Sequence, residues 1–165
     1  MMNSLALVLV AATRVLIAVE SGNIADALSA QKPFAANEGF AFEATFNCAN
    51  ANRHPAGVAL MPVEDGPVLA INEMPDGFEA CVTEIRDGKS NCVFSRPLPY
   101  PKSERGTAGL RIAYDAGRKT VTLSIKGGPS QELPAPAGVA GATYRIVPSQ
   151  VPRRFRLTAG VGECR

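Results

Sequence analysis

Three carboxylates, Glu73, Glu79 and Glu84, stand close enough in sequence to raise paired-carboxylate chemistry. Glycoside hydrolysis needs two carboxyl groups about 5–5.5 Å apart for retention or about 6.5–9.5 Å apart for inversion. On an extended chain Glu79 and Glu84 have opposite parity and leave opposite faces. Glu73 and Glu79 would approach across a turn at Asp76-Gly77, with solvated strand carboxylates as the plainer expectation, and no catalytic residue is assigned. Asp65, Asp76 and Asp87 each precede a glycine and recur every eleven residues. Successive hairpin turns alternate between the ends of a sheet, so Asp65 and Asp87 are expected at one end and Asp76 at the other. Calcium requires several converging oxygens, which makes a loop containing Asp65 or Asp87 the candidate metal position beside ordinary turn chemistry. No other cofactor is expected.

Four cysteines, Cys48, Cys81, Cys92 and Cys164, show no CxxC spacing, and His54 is the only imidazole. A tetrahedral zinc site would need all four thiols without the usual paired spacing, and Cys48 with His54 lacks a third orienting group for nucleophilic catalysis. An even number of cysteines in a small β-rich chain suits an oxidising compartment. The expected bridges are Cys81–Cys92, across a hairpin turning at Arg86-Asp87-Gly88, and Cys48–Cys164, tying an early strand end to the chain end. Buried, reduced cysteines are the alternative.

Sugar recognition stacks an exposed ring on a pyranose and adds planar polar groups. Trp is absent. Tyr100, in a proline-rich stretch, is the candidate exposed ring, with Asn50, Asn52, Arg53 and His54 of one loop as hydrogen-bonding partners. No GxSxG elbow or glycine-rich phosphate loop occurs. Residues 1–100 carry six basic and eleven acidic side chains, and residues 101–165 carry eleven and four. Within one fold such a split gives long-range complementarity; the sharper reading is a basic face around Arg145, Arg153, Arg154 and Arg156 that meets a polyanion such as a sulfated glycan. No aromatic series or helix-turn-helix pattern accompanies these arginines, so nucleic acid is not an expected partner.

These side chains need strands to hold them. Period-2 alternation puts Phe40, Phe42, Ala44 and Phe46 on one face, and Val121, Leu123 and Ile125 on another. Leu110, Ile112 and Tyr114 precede Asp115-Ala116-Gly117-Arg118, so residues 108–126 read as a hairpin. The Asp-Gly beat divides residues 57–95 into a four-strand meander over Gly57 to Val63, Pro67 to Glu73, Phe78 to Ile85 and Asn91 to Ser95. Residues 97–107 and 127–141, rich in Pro and Gly, read as loops, and Thr143 to Val147 and Arg154 to Ala159 as strands. Asn23 to Ala30 is the only helical stretch. The chain of 165 residues, 46% apolar and 19% charged, has the size of one domain and the patterning of an all-β protein, a two-sheet antiparallel β-sandwich.

Residues 1–30 carry two readings. The apolar runs Leu5 to Ala12 and Val15 to Val19 fall short of the roughly 20 residues that span a bilayer, so no integral membrane segment is expected. Ala25-Asp26-Ala27 would serve as a cleavage site, but the n-region has no Lys or Arg. The other reading makes Arg14 to Glu20 the first strand. Residues 31–165 are expected to form a single β-sandwich domain.

Several pieces together resemble the concanavalin A-like lectin/glucanase superfamily, including laminin-G-like jelly-roll domains. Gly39 to Asn47 looks like the early aromatic strand, Ala56 to Leu60 like the next, Leu110 to Ile125 like the hairpin whose first strand ends in Tyr-Asp, and Phe155 to Gly160 like the closing strand. The resemblance implies a jelly roll of two curved antiparallel sheets, with ligands on the concave face or edge loops. The closely spaced Glu-x-Asp-x-x-Glu of the glucanase members does not occur. The expected function is therefore a non-catalytic module, secreted or periplasmic, that binds a glycan or an extracellular protein. A glycoside hydrolase of the same architecture and a spacer domain without ligand are the alternatives.

Overall fold

Phe40, Phe42, Ala44 and Phe46 are buried while Ala41, Glu43, Thr45 and Asn47 between them are half-exposed, so the alternation in the sequence becomes a strand with one dry face. The computed structural model describes residues 14–17 as backbone, and residues 33–48, 55–100, 106–149 and 152–159. Twelve strands run through these residues. In chain order they are β1 (Arg14–Ile17), β2 (Phe34–Ala35), β3 (Phe40–Asn47), β4 (Gly57–Pro62), β5 (Gly66–Met74) and β6 (Gly77–Arg86). They continue as β7 (Lys89–Pro99), β8 (Thr107–Asp115), β9 (Thr120–Ile125), β10 (Ser130–Pro134), β11 (Thr143–Pro148) and β12 (Arg154–Ala159).

The strands form two antiparallel six-stranded sheets, sheet I in the order β1-β12-β3-β8-β9-β10 and sheet II in the order β2-β11-β4-β5-β6-β7. The molecule is the all-β two-sheet sandwich expected from the alternation, and its strand order fits the jelly roll that the resemblance implies. Phe40, Phe42, Phe46, Leu110, Ile112 and Leu123 of sheet I and Leu60, Leu69, Ile71, Phe78, Leu98 and Tyr144 of sheet II are fully buried between the sheets. Each such side chain contributes roughly 1.5–3 kcal/mol by leaving water. Phe40 lies at the centre of an aromatic cluster, its ring centroid 5.3 Å from Phe34, 5.8 Å from Tyr144 and 6.1 Å from Tyr114.

The turns follow the Asp-Gly beat. Asp87 and Gly88 both have positive φ, 51° and 70°, the conformation of a tight hairpin turn whose twist matches its strands. The Asp115 carboxylate accepts the Arg118 N–H at 2.9 Å and closes the β8–β9 connection.

Three expectations change. Residues 97–99 continue β7 rather than opening a loop: Pro97 faces Glu79 and Pro99 faces Gly77, and an edge strand tolerates proline where its N–H would point to solvent. Residues 130–134 form β10, also an edge strand, with Gln131 and Leu133 half-buried. The expected N-terminal strand is present at Arg14–Ile17, paired with β12; its remaining expected residues, 18–20, and the helix at Asn23 to Ala30 lie outside the described residues. Finally, Cys81 and Cys92 are thiols. A register shift between Val82 and Thr83 sets Cys81 opposite Ser95 and Cys92 opposite Thr83, so the two sulfurs lie diagonally on one face instead of meeting across the ladder. Cys48 is buried, and Cys164, its expected partner, lies outside the described residues. The disulfide argument for an oxidising compartment loses its support.

Candidate functional site

On β5 the fully buried Leu69 and Ile71 point between the sheets, so Val68, Ala70 and Asn72 must leave from the opposite, outer face. The register extends this face across sheet II. One row runs Val147 on β11, Ala59 on β4, Ala70 on β5, Cys81 on β6 and Ser95 on β7. Its four members from Ala59 to Ser95 are all small, and they span three strand spacings, about 14 Å. A second row, Asn72, Glu79 and Pro97, borders the first on one side, and Val68, Thr83 and Cys92 border it on the other. Val68 and Ala70 face away from the core yet are only 8% and 7% exposed. The row of small side chains thus runs as a shallow trough between larger neighbours, deepest at Ala70, with Ala59, Cys81 and Ser95 half-exposed.

The polar bank is organised. The Ser95 hydroxyl donates to the Glu79 carboxylate, and Asn72 stands exposed directly opposite Glu79. Burial is the main cause that pushes the Cys81 thiol above its ordinary value; the Thr83 hydroxyl, 3.5 Å away, opposes the rise, and the adjacent Cys92 thiol and Glu79 add to it. Cys81 is therefore a neutral thiol that completes the apolar floor. Such a surface offers planar amide and carboxylate groups along one side and a dry floor, the mixture found in ligand sites. It carries no outward aromatic ring from β4–β7 or β11 among the described residues.

The expected site residues fall out differently. Tyr100 is corrected from an exposed loop ring to a core residue: it is 7% exposed, its ring lies 6.0 Å from Phe78 at an edge-on angle, and its hydroxyl donates to the Thr107 carbonyl at 3.3 Å. The extension of β7 carries it inward. Asn50, Asn52, Arg53 and His54 lie outside the described residues. Glu73 sits opposite the buried Phe78 and Glu79 opposite Asn72, so consecutive positions of β6 send their partners to opposite faces and the pair does not converge. The Glu73 carboxylate instead accepts the Ala56 N–H and ties β4 to β5. Glu84 pairs with Arg86 at 3.3 Å.

Asp65 and Asp87 do share an end of sheet II, where the Asp65 carboxylate accepts the Asp87 N–H at 2.9 Å. Beside them a cleft of about 280 Å³ is lined by Asp65, Pro67, Glu84, Arg86 and Gly138. Among the described residues no three His, Cys, Asp or Glu side chains converge as a metal site. Nor is any described helix long and apolar enough to cross a membrane.

The chain is similar to sheep galectin-11, solved in complex with glycerol, at 7% identity, with 76% of this chain and 94% of that one covered and a TM-score of 0.53. Weaker likenesses are to an ancestral congerin (15% identity, 76% and 95% covered, TM-score 0.46) and to the CBM2 module of the Lactobacillus casei BL23 phage J-1 evolved Dit (13%, TM-score 0.43). Of this last, the phage module, the match spans 59%, against 74% of this chain. No protein-family model and no curated protein matches the sequence. The fold is a lectin-like β-sandwich.

The sequence reading missed Asn72, Ser95 and the alanine floor. The signal was available in part: a two-residue turn at Pro75-Asp76 pairs Met74 with Gly77 and hence Asn72 with Glu79. The bulge that brings Ser95 opposite Cys81 leaves no mark in the composition.

Proposed function

We propose that this chain is a non-catalytic binding module, a member of the concanavalin A-like lectin superfamily, that holds a neutral oligosaccharide in the trough on the outer face of sheet II. The observation that carries the reading is the row Ala59, Ala70, Cys81 and Ser95 with Asn72 and Glu79 along one bank. Asn72 and Glu79 would hydrogen-bond sugar hydroxyls, while the floor covers the apolar side of the ring. Without an aromatic platform the affinity rests on those hydrogen bonds, each worth about 0.5–1.5 kcal/mol net.

Binding without turnover is favoured because Glu79 has no second carboxylate beside it on the outer face of β4–β7, whereas both glycosidase geometries require two. A protein partner is the second reading, favoured by the exposed Val147 and Met74, 49% and 43% accessible, at the margins of the same face. A location outside the cytoplasm belongs to the proposal, as does calcium at Asp65 or Asp87. The test is a glycan panel screened with and without calcium, with released reducing ends measured in parallel. Saturable binding that Asn72→Ala and Glu79→Gln abolish is the expected result. Release of reducing ends that stops in Glu79→Gln would replace it with the hydrolase reading.

A further inference from the structure

The opposite side of the sandwich has a different character. On the outer face of sheet I the register lines up Arg154 on β12, Thr45 on β3 and Gly109 on β8, and beside them Arg156, Glu43, Arg111 and then Ser124 on β9. Lys126, just past β9, donates its N–H to the Gly109 carbonyl at 2.7 Å and thus extends the first row. A Cβ on Gly109 would lie 3.0 Å from the Lys126 Cβ, so the absent side chain lets the lysine stem rest across the strand. Two adjacent rows therefore hold four cations and one carboxylate. That carboxylate, Glu43, is taken by Arg111 at 3.2 Å. Among the described residues no carboxylate pairs with Arg154, Arg156 or Lys126, all three exposed. Glu132, farther along the face, is held by Arg118 at 2.8 Å. Arg145, read from sequence as part of the same basic face, belongs instead to the outer face of sheet II, since its neighbour Tyr144 is buried between the sheets.

We infer that this face of sheet I is a second binding surface, for a linear sulfated polysaccharide. Arg154 and Arg156 stand about 7 Å apart along their strand, and Arg154 and Lys126 about 14 Å apart across three strand spacings. The small Thr45 and Gly109 between them leave room for a chain to lie across the strands. Its sulfates would meet guanidinium forks, which favour oxyanions bidentately, at one end and an ammonium at the other. Nucleic acid fits less well. No aromatic side chain points outward from β3, β8, β9, β10 or β12 among the described residues to stack a base, and a broad sheet face does not enter a major groove as a helix or two-stranded ribbon does.

The experiment titrates the intact protein with a heparin-derived oligosaccharide at several salt concentrations, beside a desulfated oligosaccharide of the same length and single-stranded oligo-dT. The expected result is salt-sensitive binding of the sulfated probe alone, weakened roughly tenfold or more by Arg154→Gln with Arg156→Gln, weakened by Lys126→Gln, and unchanged by Arg145→Gln. Equal binding of the desulfated probe, equal or tighter binding of oligo-dT, or full affinity in the double variant would overturn it, as would equal weakening by Arg145→Gln. Thermal midpoints of all variants check folding, and Lys126→Gln keeps the test open should the double variant fail to fold. Neutral-glycan binding to sheet II is read separately, because Asn72→Ala alters only that face.

Discussion

Tyr144 combines the largest buried ring with a polar end that must find a partner, and its hydroxyl donates to the Pro67 carbonyl at 2.9 Å. Burial raises its pKa well above the ordinary value of 10.0. The unfolded chain releases this proton above about pH 10 while the folded one retains it, so the contribution is whole below that pH and is lost as pH climbs towards the folded value. Tyr144→Phe is expected to cost about 1 kcal/mol in urea unfolding at pH 7, and to flatten the decline in stability above pH 10. The thiols offer a second test at this scale. Cys81 is half-buried with a raised pKa and Cys92 is exposed, so iodoacetamide should modify Cys92 first at pH 7.5. Saturating trough ligand should then protect Cys81 and Cys92, followed by mass spectrometry, and unchanged labelling rates would count against occupancy of that face. Residue types alone misled where exposure decided the role: Tyr100 read as a surface ring because prolines surround it, yet Pro97 and Pro99 lie on an edge strand that carries it into the core.

Elements built from strict alternation were legible, since β3, β8 and β9 need only period 2 to decide which face is dry. Edge elements were not. The second half of β7 and all of β10 are written in Pro and polar residues around a single leucine each, Leu98 and Leu133, because one side of an edge strand faces water, and that composition is indistinguishable from a loop until its partner is known. The turns were readable, and they differ in what they tolerate. At Gly77, with φ of 146°, an added Cβ would lie 2.8 Å from the Leu98 carbonyl oxygen and 2.9 Å from the Tyr100 nitrogen. At Gly88, φ is 70° and the Cβ would meet open space. Gly77→Ala is therefore expected to destabilise by about 1–3 kcal/mol, through strain plus backbone collision, and Gly88→Ala by less, through φ alone. Thermal or urea unfolding of the two variants checks the order, and equal losses would mean that the β7 backbone yields.

The whole molecule presents two outer faces of opposite character on one shared core. Sheet II offers a shallow, weakly polar trough, and sheet I a cationic plane. The imbalance between the acidic and basic halves of the sequence anticipated some separation of charge, but not this arrangement, because alternation sends neighbouring arginines such as Arg153, Arg154 and Arg156 to positions that only the sheet order defines. Which strands adjoin is a long-range property: β12 lies beside β3 although more than a hundred residues separate them. Backbone amide shifts recorded while the protein is titrated with the tightest neutral glycan of the panel test most directly whether the trough holds the ligand. The account predicts that the largest changes cluster at Ala59, Ala70, Asn72, Glu79, Cys81 and Ser95. Changes confined to residues 49–54, or to the outer face of sheet I, would contradict it.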